Sequence, residues 1–197
     1  MTHEHREHQD AAAAAPGWLQ PLLQAADWLA RLSGGLAALA LAALTLLILG
    51  EISVRLLSNY ISGLPAGIPT AWEVSSYLMG IAFMAGSAMT LRAGGHIRVS
   101  VLLSQLPPNG KRVLEILSSL FGFLLCLFLA YSLALFTWAS FIRGQTSISS
   151  DIPLWIPKAA ITFGAIVLAL QMLTRLAQAV YRLPLEDNAL RVGAPAE

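Results

Sequence analysis

The sequence predicts an all-α integral membrane protein of four transmembrane helices, with both termini cytoplasmic and a short amphipathic helix between the second and third spans. Three observations predict it. Of 197 residues, 56% are hydrophobic and only 12% charged, with mean hydropathy +0.66, whereas a soluble domain carries about a quarter of its residues as Asp, Glu, Lys and Arg. Four uncharged runs each approach or exceed the roughly 20 apolar residues that a helix needs to cross the hydrocarbon with every backbone amide satisfied. If those runs alternate in direction, nine of the Arg and Lys residues fall on the side of the termini and three on the other, which sets the termini in the cytoplasm.

The same composition excludes several functions. The 12 basic and 11 acidic residues nearly cancel, leaving no positive surplus to hold nucleic acid. A single cysteine, Cys126, within an apolar run excludes an internal disulfide framework and a Cys-based zinc site. His3, His5, His8 and His96 are the only histidines and none lies inside a span, so bis-histidine haem ligation is excluded too. No metal, cofactor or catalytic group is expected, nor a substrate-binding residue.

Residues 1–27 are expected to form a flexible cytoplasmic tail: polar, then alanine-rich, with no basic start and no cleavage-site pattern of a signal peptide. Residues 28–181 form the membrane domain. The first span is placed at 28–50, uncharged after Arg31, and the second at 72–91, uncharged after Glu73. Between them Gly63, Pro65, Gly67 and Pro69 mark a turn-rich connection. After the second span, Arg92, Gly94, Gly95, His96 and Arg98 form a cytoplasmic turn in which paired glycines bend the chain and the basic groups meet helix-end carbonyls or lipid phosphates. Residues 99–106 suit a short surface helix, and 107–110 turn into the third span at 113–141. The fourth is placed at 156–177, and 182–197 form a cytoplasmic tail.

Charges are confined to within a turn or two of the span ends, so no carboxylate is available at mid-depth to couple proton or ion movement. Arg55 and Glu73 lie on the outer side of one hairpin, where an ion pair would fix two helix ends in register, or where either residue would meet a soluble partner. Small residues at a spacing of four, Gly34, Ala38 and Ala42, then Ala82 and Gly86, then Ala160 and Gly164, suit close helix packing, either within the chain or against another membrane subunit. In the third connection Arg143, Asp151, Trp155 and Lys158 are candidates for an outward docking loop.

These features together resemble the small membrane subunit, often called DctQ-like, of tripartite ATP-independent periplasmic (TRAP) transporters. The resemblance begins at Arg55, continues through Trp72, Glu73, Tyr77 and Gly86, and is most specific at Arg92, Gly94 or Gly95, His96, Ile97 and Val99. It resumes at Ile152, Pro153, Trp155, Gly164 and Gln171. It implies a non-catalytic scaffold in the bacterial inner membrane, beside a large polytopic transport subunit that holds the substrate and sodium sites. A soluble periplasmic binding protein would deliver an organic acid to the pair. A self-contained four-helix exporter or channel, and a membrane adaptor for another complex, remain the alternatives. Besides these proteins, membrane lipid is the expected partner.

Overall fold

The computed structural model describes residues 17, 19–61, 63, 65–92, 108–147 and 149–181. Four helices carry them: α1 (Leu19–Ser58), α2 (Ala71–Arg92), α3 (Pro108–Ile142) and α4 (Trp155–Tyr181). All four are long and apolar enough to cross a membrane, and the fold is all-α. Gly94, Gly95, His96 and Arg98, the expected surface helix at 99–106, and residues 1–16 and 182–197 lie outside the described residues.

Each helix outruns its apolar stretch. The first departs furthest from expectation, since α1 starts at Leu19 rather than near Trp28 and has 40 residues, about 60 Å at 1.5 Å per residue. Its first turns are polar on one side, with Gln20, Gln24 and Asp27, and put Leu19, Ala26 and Ala30 into the core on the other. An amphipathic segment of this kind is hidden from a search for uniformly apolar runs. Prolines sit where a helix tolerates them, Pro21, Pro108 and Pro157 all in first turns, where the missing N–H has no intrahelical acceptor. At the other end of α3, Gly144 adopts φ 56°, and the amides of Gly144 and Gln145 bond back to the carbonyls of Phe141 and Ser140. That is the left-handed glycine stop which satisfies the last carbonyls of a helix.

Packing follows from small residues. Ala26, Ala30, Ser33, Ala37 and Ala40 line the buried side of α1, facing Ala82, Ala85 and Ala88 of α2 in an antiparallel hairpin. The expected row on α1 is thus split between a packed and an exposed side. Gly34 meets Met89, at 3.4 Å from where its Cβ would stand, but Ala38 and Ala42 are exposed. On α2, Ala82 is buried and Gly86 approaches Ala37. The closest approach is at Gly164 of α4, where a Cβ would lie 2.8 Å from the backbone of Met84 and Ala85. Ala160 is half-buried one turn earlier. Interhelical hydrogen bonds accompany three of these seams: Ser33 Oγ to the Ala85 carbonyl at 2.7 Å, Thr137 with Thr162 at 2.8 Å, and Gln171 Nε2 to the Ala26 carbonyl at 2.6 Å.

The four helices do not close into a square. α2 and α4 occupy the middle, α1 packs on both, and α3 packs chiefly on α4. Above Ala40, no described residue of α1 is buried. One face of α3 is exposed over its whole length, from Val113 through Phe121, at 71% exposure, and Phe128 to Trp138.

At the end of the bundle that carries the start of α1 and the ends of α2 and α4, polar groups tie the helices together. Arg92 Nη2 lies 2.9 Å from Asp27 Oδ2, and Nη1 3.5 Å from the Asp27 carbonyl, with the Arg92 side chain only 14% exposed. Gln171 takes the preceding carbonyl, Ala26, so α2 and α4 grip adjacent residues of α1. Arg112 of α3 donates to the Val180 carbonyl at 2.7 Å, a cation at the negative end of α4.

Two outcomes are expected in detergent unfolding experiments. Gly164→Val loses about 2 kcal/mol, because α2 and α4 must separate to admit the side chain, while Gly35→Ala, which meets nothing within 4 Å, stays within about 0.5 kcal/mol of the parent. Asp27→Arg and Arg92→Asp each destabilise, and their combination recovers about 1 kcal/mol of coupling in a double-mutant cycle.

Candidate functional site

The residues with interaction potential gather at the opposite end of the bundle, which carries the α1–α2 and α3–α4 connections. Glu51 sits on α1 about level with the loop that precedes α2. Its Oε1 lies 3.0 Å from Arg55 Nη2, one turn on, and its Oε2 accepts the Ile68 amide at 2.6 Å. The loop comes so near that a Cβ on Gly67 would stand 2.6 Å from Glu51 Oε1. A carboxylate thus closes the first connection by accepting a backbone N–H that would otherwise need water.

Glu73 serves the second connection. It lies in the first turn of α2, where a carboxylate meets the positive end of the helix dipole. Its Oε1 accepts the Tyr77 hydroxyl at 2.5 Å, and its Oε2 accepts the hydroxyls of Ser149 and Ser150. The connection is itself tightly bonded: Ser147 N–H reaches the Ile152 carbonyl, Leu154 N–H the Gln145 carbonyl, and Ser147 Oγ accepts the amides of Ser149 and Ser150. Asp151, at φ 51°, makes the turn in the left-handed region that L-residues seldom adopt.

These contacts correct the ion pair expected between Arg55 and Glu73. Arg55 is paired within its own helix, because a glutamate four residues before an arginine is already in reach at no loop-closure cost. Glu73 is turned away, toward the serines of the other connection. The pair that does cross the α1–α2 hairpin is Asp27 with Arg92, at the far end. The signal for it is present in the sequence only as two lone charges flanking apolar runs.

Lys158 is also reassigned. Rather than reaching outward, its Nζ donates to Ser140 Oγ at 2.6 Å and Gln145 Oε1 at 3.3 Å, and lies 3.9 Å from the centre of the Phe136 ring. A cation placed this way pins the end of α3 to the start of α4. The other three candidates of that loop, Arg143, Asp151 and Trp155, are exposed, with the Trp155 ring edge-on to Phe141. Sequence reasoning passed over Glu51, although the Glu-to-Arg spacing of four was its available signal.

Chemically this end offers acceptors saturated by loop donors, exposed aromatic rings and exposed guanidinium groups. It suits surface recognition. Among the described residues no group of His, Cys, Asp and Glu gathers that would hold a metal ion.

The comparisons with known proteins agree with the four-helix pattern. The family model described as "Tripartite ATP-independent periplasmic transporters, DctQ component" matches residues 44–182. Among curated proteins, the chain is 30% identical over 101 residues to the ectoine TRAP transporter small permease protein TeaB of Halomonas elongata. That match covers 51% of this chain and 52% of the relative, so it spans about half the relative's length. No solved structure matches the chain. Residues 44–182 take in the last part of α1, all of α2, α3 and α4 and both the α1–α2 and α3–α4 connections, and the chain belongs to the DctQ component family of tripartite ATP-independent periplasmic transporters.

Proposed function

We propose that this chain is the small, non-catalytic scaffold subunit of a TRAP transporter that imports an organic acid on a sodium gradient. It is a multi-pass protein of the bacterial inner membrane, with its termini cytoplasmic and the Glu51–Glu73 end facing outward. It packs beside a large membrane subunit that carries the substrate and ion sites, and its outward loops help to dock a periplasmic binding protein. The Halomonas elongata relative is named for an ectoine transporter; in this chain's own transporter, substrate choice rests with the other two components.

One observation carries the reading. Between the polar ends, residues 32–50, 74–91, 116–142 and 159–174 contain no charged side chain, so nothing at mid-depth can neutralise an acid or exchange a proton. The polar groups that are buried there are spent on their neighbours, as with Ser33, Thr162 and Gln171. The exposed faces of α1 and α3 support it as well: four helices that leave so much apolar side wall are suited to sit in a larger membrane assembly. The exposed Ala38 and Ala42 allow close approach of a partner's helix, while the leucine and phenylalanine face of α3 is suited to lipid.

Vesicles reconstituted with the large subunit, its binding protein and this chain are expected to take up the acid when a sodium gradient is imposed. Omitting this chain removes uptake, and the chain alone shows none. Undiminished uptake without it, or transport by the lone chain, contradicts the scaffold reading.

A further inference from the structure

We infer that Tyr131 of α3 is a contact point for a helix of a second membrane protein, which presents a hydrogen-bond acceptor to its hydroxyl inside the bilayer. The inference rests on the reading above, in which a larger membrane subunit lies alongside, and names one place where that subunit is met.

Tyr131 lies deep within the charge-free residues 116–142, about 22 Å along the helix from Ile116 and about 16 Å from Ile142. Side chains of a helix lean toward its N-terminus, so the phenol leans away from the nearer end of that run and keeps its hydroxyl in the hydrocarbon. The residue is 64% exposed, and among the described residues its hydroxyl has no hydrogen-bond partner. Shorter side chains avoid this situation. The hydroxyls of Thr45, Thr90 and Ser118, exposed on their own helices, donate back to the carbonyls of Leu41, Gly86 and Glu115. A phenol stands too far from its own backbone to do so. Of the other tyrosines, Tyr77 donates to Glu73, while Tyr60 and Tyr181 stand at the ends of spans. Lipid tails offer no acceptor, so a hydroxyl left facing them carries the cost of an unmade hydrogen bond.

The surroundings of Tyr131 suit a helix. Leu120, Leu124, Leu127, Tyr131, Ala134 and Trp138 follow one another at alternating spacings of four and three, and all are exposed. That spacing keeps one row of side chains against a neighbouring helix in shallow left-handed packing. Ala134, next to Tyr131 in the row, lets the neighbour's backbone come near, which is where a carbonyl or a short polar side chain meets the phenol. Phe121 and Phe128 lie on the next row round α3 and stay with lipid.

The test uses the full complex in lipid nanodiscs. A photo-crosslinking p-benzoylphenylalanine placed at Tyr131 is expected to join this chain to the large subunit. Tyr131→Phe removes only the hydroxyl, and is expected to weaken association of the two subunits in the bilayer about threefold, the scale of one interhelical hydrogen bond in a membrane. Crosslinking to lipid alone, crosslinking to a second copy of this chain, or parent affinity in Tyr131→Phe each overturns the inference while the scaffold reading stands. A parent preparation in which no large subunit accompanies this chain overturns the scaffold reading, and the contact with it.

Discussion

The contact on which the bundle depends is the seating of Gly164 against the backbone of Met84 and Ala85. In lipid no hydrophobic drive separates helix from solvent, so helices stay together only where their backbones come close enough for many dispersion contacts and a few hydrogen bonds. Glycine at 164 grants that approach between α2 and α4, and the alanines of α2 extend it toward α1. The side-chain bonds from Ser33, Thr137 and Gln171 are then short enough to form between helices. A core built this way is thin. It holds the helices in place but leaves their larger side chains pointing outward.

That geometry explains the division of labour in the chain. α2 and α4 make the frame, and α1 is gripped at its base by Arg92 and Gln171 and has no buried described residue above Ala40. Nearer its end, Glu51 holds the loop that α1 leads into. The membrane-embedded middle carries packing and no charge, while the ends carry the ionic and hydroxyl contacts.

Much of the fold was legible in the sequence, because the bilayer imposes length and apolarity on any span and both are visible residue by residue. What was illegible has specific causes. The start of α1 is amphipathic, so its helical turns around Gln20 and Asp27 carry no apolar run to mark them. The small-residue row on α1 divides: Gly34 lies on the packed side, whereas Ala38 and Ala42 are exposed and the buried alanines are Ala37 and Ala40. In an alanine-rich helix, residue size alone does not fix which side faces inward. At the end that carries the α1–α2 and α3–α4 connections, proximity along the chain paired Arg55 with Glu51, and proximity in space gave Glu73 to serines that lie far off in sequence. Only the local one of these two contacts has a signature that spacing reveals.

The central claim is that this chain is one fixed part of a larger membrane assembly. It is tested most directly by purifying the protein through a C-terminal tag from its native membranes in mild detergent and weighing the intact complex by native mass spectrometry. The account predicts a stoichiometric complex with a single large polytopic subunit. A stable assembly made of this chain alone would contradict it.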